Sequence, residues 1–344
     1  MLPNGIDMTT TAGWLPVVFA FVMALSILAY VILDGYDLGV GILLSKADLL
    51  ADKDSMIASI GPFWDANETW LVLGVGVLLI AFPAAHGVIL GALYLPVALM
   101  LIGLTLRGVA FDFRAKSQPQ YRVLWDRVLC AGSFLASWSQ GFMLGNLITG
   151  FSQSAASIAF SALIGVCLIF AYTLLGAGWL IMKSVGELQL KAVAWARASL
   201  FWVALGVLAI SLATPWVSTQ IFDKWFSFPN VLMLLPIPAM TLAMFGVIVR
   251  SLNRLPIRLA QANSYGIAVP FTATVGVFLL SFYGLAYSLF PWLVIDRLTI
   301  WTAASSPEAL MVILYGIVIV LPVIVGYTVY SYRVFWGKSS ALQY

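Results

Sequence analysis

Histidine is nearly missing from this chain: there is one, His86, in 344 residues. A bis-histidine haem needs two, and the segment Phe82-Pro83-Ala84-Ala85-His86 reads as a tight turn, a poor place to bury a macrocycle. Cysteine is almost as scarce. Cys130 and Cys167 fall in separate apolar segments without zinc or iron–sulfur spacing, so they read as small buried hydrophobes. No P-loop, Cys–His pair or Ser–His arrangement appears. No metal or haem held by this chain's own ligands, and no nucleic-acid partner, is expected. Charge is scarce too: 9% of residues are charged, against roughly 25% in an ordinary soluble protein.

What fills the chain instead is apolar surface, 62% of residues with a mean hydropathy of +1.02. A soluble domain cannot hide that much. The apolar runs are continuous and of the order of 20 residues, the length of a bilayer-crossing helix, whereas a membrane barrel needs short alternating segments. The sequence predicts an all-α polytopic membrane protein, one integral membrane domain over 1–344. It has about nine spans: 14–38, 67–82, 85–106, 124–148, 157–182, 198–216, 229–250, 266–290 and 308–334. Residues 46–59 read as a short interfacial helix. Fifteen of the 17 basic residues fall on one side of this arrangement, and only Lys224 and Arg297 on the other. Positive-inside reasoning puts the fifteen in the cytoplasm, the N-terminus outside and the C-terminus inside, which requires an odd number of spans. Leu104-Thr105-Leu106-Arg107-Gly108 and Val247-Ile248-Val249-Arg250-Ser251 echo each other four spans apart, compatible with a four-plus-four tandem repeat and one extra helix. Small residues such as Gly74 and Gly76 would permit close approach of a partner.

Against this background four acids stand out. Asp34 and Asp37 close the first span; Asp65 and Glu68 open the second. Each pair has a spacing of three, which on a helix shares a face. Arg107 and Asp112 follow at the end of the third span, at the same depth. Carboxyls in such a setting cost several kcal/mol unless paired, protonated or hydrated, and default to a pathway or binding site. Capping is the plainer alternative, and Asp65 suits a helix N-terminus. Gly35 would let the first helix bend, Gly39 and Gly41 would let helices approach, and Trp64 and Trp70 flank the acids as belt residues or as a flat wall.

Three segments carry a family resemblance. Asp34-Gly35-Tyr36-Asp37-Leu38-Gly39-Val40-Gly41 resembles the D-G-[FY]-D-x-G-V-G signature of subunit II of cytochrome bd-type quinol oxidases. Pro62-Phe63-Trp64-Asp65-Ala66-Asn67-Glu68-Thr69-Trp70 is similar to that family's P-x-W-D-[GA]-N-x-x-W, with Ala66 where glycine is frequent. Arg107-Gly108-Val109-Ala110-Phe111-Asp112-Phe113-Arg114 is similar to its R-x-x-x-F-[DE]-[FY]-R. The motifs cover the first third of the chain, and the rest matches in length and hydropathy. The cyanide-insensitive branch is compatible.

The resemblance implies a haem-free subunit of a respiratory enzyme of the bacterial cytoplasmic membrane that oxidises quinol and reduces oxygen to water. Two b-type haems and one d-type haem would reside in the partner, subunit I. Lipid, a small single-helix subunit, a structural quinone in this chain and an oxygen route through its interior are further expectations. Carried over by position, Asp65 is the proton-path carboxylate. Trp64, Asp37 and Arg107 line the cavity beside it; Asp34, Glu68 and Asp112 are second choices, supported by depth and spacing alone. Two rivals stand beside this reading. A secondary transporter would lack visible haem absorbance after purification; a structural scaffold would tolerate mutation of Asp65.

Overall fold

A computed structural model describes residues 6–217 and 219–339; the two ends of the expected 1–344 domain lie outside the described residues. Apolar runs have no water to satisfy their peptide groups in a bilayer, so the chain closes its hydrogen bonds within helices. Thirteen α-helices follow in order: α1 (Thr11–Leu43), α2 (Leu50–Ile60), α3 (Trp64–Ala81), α4 (Pro83–Ala92), α5 (Tyr94–Lys116), α6 (Pro119–Ile148), α7 (Ala155–Lys183), α8 (Gly186–Val217), α9 (Thr219–Phe226), α10 (Asn230–Leu234), α11 (Pro236–Ala260), α12 (Val269–Leu289) and α13 (Pro307–Val334). Between α12 and α13 the strands β1 (Trp292–Val294) and β2 (Leu298–Thr299) form a small antiparallel pair, which helical periodicity did not anticipate.

Nine of the described helices have 18 residues or more, one for each expected span. Eight are long and apolar enough to cross a membrane. The ninth, α6, is diluted by Ser133, Ser137, Ser139, Gln140 and Asn146, and most of these are buried because α6 packs between α5 and α7. Small and polar residues are what a helix uses when its neighbours are helices and not lipid.

Several expected boundaries move. The first helix does not end at 38. It runs on to Leu43, so Asp34 and Asp37 sit in its interior. The expected span 85–106 is broken at Leu93, and its second half, α5, continues to Lys116, so Arg107 and Asp112 are mid-helix. His86 is not in a turn: only Phe82 leaves helical geometry, and Pro83 restarts a helix, α4, that contains His86. Residues 50–60 do form the short helix α2, but its sides divide by neighbour, with Met56 and Ile57 buried and Leu49 and Leu50 exposed.

Packing partners sort the long helices into two sets of four. Helices α1, α3, α5 and α6 form one set and α7, α8, α11 and α12 the other, joined where α7 meets α1 and α6. Helix α13 lies outside both and leans on α1. An apolar cleft of about 250 Å³ separates it from α3, lined by Leu73, Ile313, Gly316, Ile317, Val320 and Leu321. The joint between the sets depends on Gly39 and Gly176, where α1 and α7 cross so closely that a Cβ on Gly39 would collide with the Tyr172 backbone carbonyl. Gly74 is used inside the chain, against Ile27 of α1, whereas among the described residues nothing approaches a Cβ at Gly76.

Candidate functional site: a buried charged cluster on the first helix

Because α1 runs through Asp34 and Asp37, both carboxyls are carried into the middle of the first helix set. Asp34 has no exposed surface and Asp37 1%. Although a spacing of three keeps them on one face of α1, they meet different neighbours. Asp34 meets α5, where Arg107 donates from Nη1 to Asp34 Oδ1. Through Nη2 the same guanidinium donates to Glu68 Oε2 of α3 at 2.7 Å. Arg107 is only 3% exposed, so the planar fork is held between two carboxylates from two helices. Its Cζ lies 5.9 Å from the centre of the Trp64 ring, a cation–π distance. Trp64 in turn tilts against Phe111. A lysine would replace this arginine only in part, because it keeps the charge but lacks the rigid planar fork that serves two carboxylates at once.

Asp37 faces α3. Its Oδ2 accepts from Asn67 Nδ2 at 2.7 Å. The same amide donates to Tyr36 Oη at 2.9 Å, and Asn67 Oδ1 accepts from Tyr332 Oη at 3.1 Å. The two tyrosine hydroxyls are 2.5 Å apart. Donor logic gives that contact a direction: Tyr332 gives its proton to Asn67, so Tyr36 gives its own to Tyr332. The result is a closed ring of three side chains that ties α13 to α1 and α3. Around it Tyr36 stacks on Trp179, with centroids 4.2 Å apart, and Phe63 stacks on Tyr332 at 4.5 Å. Lys183 caps this aromatic group from 4.9 Å above Trp179 while donating to the Phe335 carbonyl at 2.7 Å.

A further polar line leaves the cluster along α1. One turn before Asp34, the Tyr30 hydroxyl accepts from Gln140 Nε2 of α6 at 2.7 Å. Gln140 Oε1 accepts from Tyr172 of α7 at 2.6 Å. Among the described residues Asp34 Oδ2, Asp37 Oδ1 and Arg107 Nε have no hydrogen-bond partner.

Of the residues expected from sequence, the structure brings together Asp34, Asp37, Glu68, Arg107 and Trp64. It does not join Asp65 or Asp112 to them. Both are exposed and make no ion pair among the described residues. Asp65 sits in the first turn of α3, one turn before Glu68. Sequence reasoning missed Asn67, Tyr36, Tyr332, Tyr30, Gln140 and Tyr172. Asn67 and Tyr36 lay inside quoted motifs, so their position was a usable signal; the others come from distant helices.

A second charged group sits at the α5–α6 end. Arg114 Nε donates to Asp126 Oδ1 at 2.5 Å, Arg114 Nη1 pairs with Asp54 at 2.8 Å, and Lys53 approaches Asp126 at 3.5 Å. With Lys191 on Asp52 at 2.9 Å, these pairs fasten α2 to the bundle. Among the described residues no group of three or more His, Cys, Asp or Glu side chains could hold a metal ion.

Comparison with known proteins finds resemblance over nearly the whole chain. Subunit 2 of cytochrome bd-I ubiquinol oxidase from Escherichia coli (strain K12) is 27% identical over 359 residues, covering 91% of this chain and 92% of that protein. Subunit 2 of the cytochrome bd ubiquinol oxidase of Bacillus subtilis (strain 168) is 28% identical, covering 92% of this chain and 95% of the relative. A chain of the solved bd oxidase from Geobacillus thermodenitrificans has the same fold, with a TM-score of 0.75 at 17% identity over 94% of this chain and 98% of that one. The description of the family "Cytochrome bd terminal oxidase subunit II" matches residues 15–335. With three signatures in order, nine long helices and nearly end-to-end coverage, the chain belongs to the cytochrome bd terminal oxidase subunit II family.

Proposed function

We propose that this subunit packs against a haem-bearing subunit I and supplies part of a proton path from the cytoplasm for the reduction of oxygen to water. The observation that carries the reading is the inward run from Glu68 through Arg107 to Asp34, with Asp65 unlinked to it but one helical turn outside. Asp65 is exposed, Glu68 is 31% exposed, and Asp34 is fully buried behind Arg107. Asp65 and Glu68 share a face of α3, so a proton taken up at Asp65 has a carboxylate one turn on. Arg107 links that carboxylate to Asp34, and Asp37 with its Asn67–tyrosine ring extends the group. Oxygen reduction consumes protons, and taking them from the cytoplasm adds to the membrane gradient. An apolar bundle conducts none without carboxyls and waters.

Haem supplies the redox chemistry of such an oxidase. One histidine and no cysteine–histidine set do not suit this chain to hold it, so the two b-type haems and the d-type haem are assigned to the partner. The long rows of exposed apolar residues on α11 and α13, among them Leu242, Val312, Ile319 and Val323, suit contact with subunit I or lipid. Trp64, Arg107 and Asp112 remain the residues proposed to border a structural quinone. The N-terminus is assigned to the outside and the C-terminus to the cytoplasm, on the charge asymmetry of the loops.

The test is quinol-driven oxygen uptake, normalised to haem, in purified oxidase carrying wild-type subunit, Asp65→Asn or Asp65→Glu. Asparagine caps a helix as well as aspartate. If Asp65 carries protons, Asp65→Asn lowers turnover by about tenfold or more with haem content preserved, and Asp65→Glu recovers part of it. Equal rates in all three would leave only the capping role.

A further inference from the structure

We infer that Gln140 is a positioning residue for Asp34, acting through Tyr30, so that the α6 amide sets which way the hydrogen bonds of the buried cluster run. The inference rests on the proton-path reading for its purpose but on geometry for its content. Tyr30 Oη accepts a proton from Gln140 Nε2, and Gln140 Oε1 accepts one from Tyr172. The amide is therefore used on both sides, and the Tyr30 proton has to go elsewhere. Tyr30 is 2% exposed, Asp34 lies four residues later on the same face of α1, and the two side chains are close enough to interact. Asp34 Oδ2 is fully buried and has no other partner among the described residues. A buried hydroxyl and a buried carboxylate oxygen left unmatched side by side would each cost free energy that one bond between them removes.

The amide carries both a donor and an acceptor, and here each is used: Nε2 fixes the direction of the Tyr30 hydroxyl and Oε1 takes the hydrogen bond from Tyr172. A methyl-terminated side chain at position 140 supplies neither, and Tyr30 would lose its fixed direction. The titratable groups coupled to Asp34 are Tyr30 and Asp37 on α1, Glu68 on α3, Arg107 on α5, Tyr172 on α7 and Tyr332 on α13. Of these, Tyr30 and Tyr172 are the two that Gln140 bonds directly.

The experiment is infrared difference spectroscopy of the intact purified oxidase across a pH step. The Asp34 carboxyl signal is identified as the one Asp34→Asn removes. Tyr30→Phe is expected to move that signal to higher wavenumber, as a carboxyl does on losing a hydrogen bond. Gln140→Met is expected to move it the same way although residue 140 does not touch Asp34. Tyr172→Phe keeps the Tyr30–Gln140 bond and should move it less, and it serves if Gln140→Met does not assemble. A signal unmoved by Tyr30→Phe, moved by Tyr30→Phe but not by Gln140→Met or Tyr172→Phe, or absent at every pH, overturns the inference. Failure of the proton-path reading looks different: normal oxygen uptake in Asp34→Asn.

Discussion

Arg107 is the residue on which the cluster's charge balance depends, and removing it should be far more damaging than removing the whole pair. Arg107→Met leaves Asp34, with no exposed surface, without its cation. Breaking a buried pair from one side costs about 3–5 kcal/mol, whereas replacing both partners by neutral groups is often close to neutral. Glu68 adds little to the sum, since at 31% exposure water can replace the guanidinium. The single variant should therefore lose most of its assembled oxidase, and Asp34→Asn combined with Arg107→Met should recover much of it. At about 1.4 kcal/mol per tenfold, the difference between them corresponds to at least about a hundredfold in the equilibrium between packed and unpacked cluster. Arg107→Lys should fall between, because it keeps the charge but not the fork. The assay is the fraction of monodisperse two-subunit complex surviving graded heating in detergent, read by size-exclusion chromatography. A double variant as unstable as Arg107→Met would refute the charge-compensation argument, as would a single variant as stable as wild type.

Asn67→Leu removes the donor to Asp37 Oδ2 and opens the tyrosine ring; a loss of about 1–3 kcal/mol is expected, measurable in the same heating assay. Tyr332→Phe leaves the Tyr36 proton without its acceptor and should loosen α13 alone, so limited proteolysis after α13 should accelerate while the remaining helices resist. Gly39→Ala drives a Cβ into the Tyr172 carbonyl at the α1–α7 crossing. It should cost about 3 kcal/mol, the upper end of overpacking, and lower the yield of folded subunit. Gly87→Ala, which meets nothing, should leave the yield unchanged.

Much of this site could be read before any coordinates. Scarce charge in an apolar chain makes Asp34, Asp37 and Glu68 conspicuous, and depth and the family resemblance add Arg107 beside them. What could not be read was which acids face one another. Asp65 and Glu68 look equivalent by spacing, yet Asp65 stays exposed in the first turn of α3 while Glu68 reaches Arg107. Gln140, Tyr172 and Tyr332 carry no signal of their own. An amide or phenol in an apolar helix looks the same whether it faces a partner or a headgroup, and only the crossing of α1 with α6, α7 and α13 supplies the partner.

Hydropathy, charge distribution and three short motifs determined the all-α membrane class, the number of long helices and the family. These depend on transfer between water and lipid and on local residue order, which are properties of the chain alone. The tertiary structure decided that α1 continues past its acids, that one guanidinium is shared between Asp34 and Glu68, and that an amide from α6 bonds two tyrosines from other helices. These depend on which helix faces meet, and that is set by close approaches such as Gly39 on Gly176, summed over contacts distant in sequence.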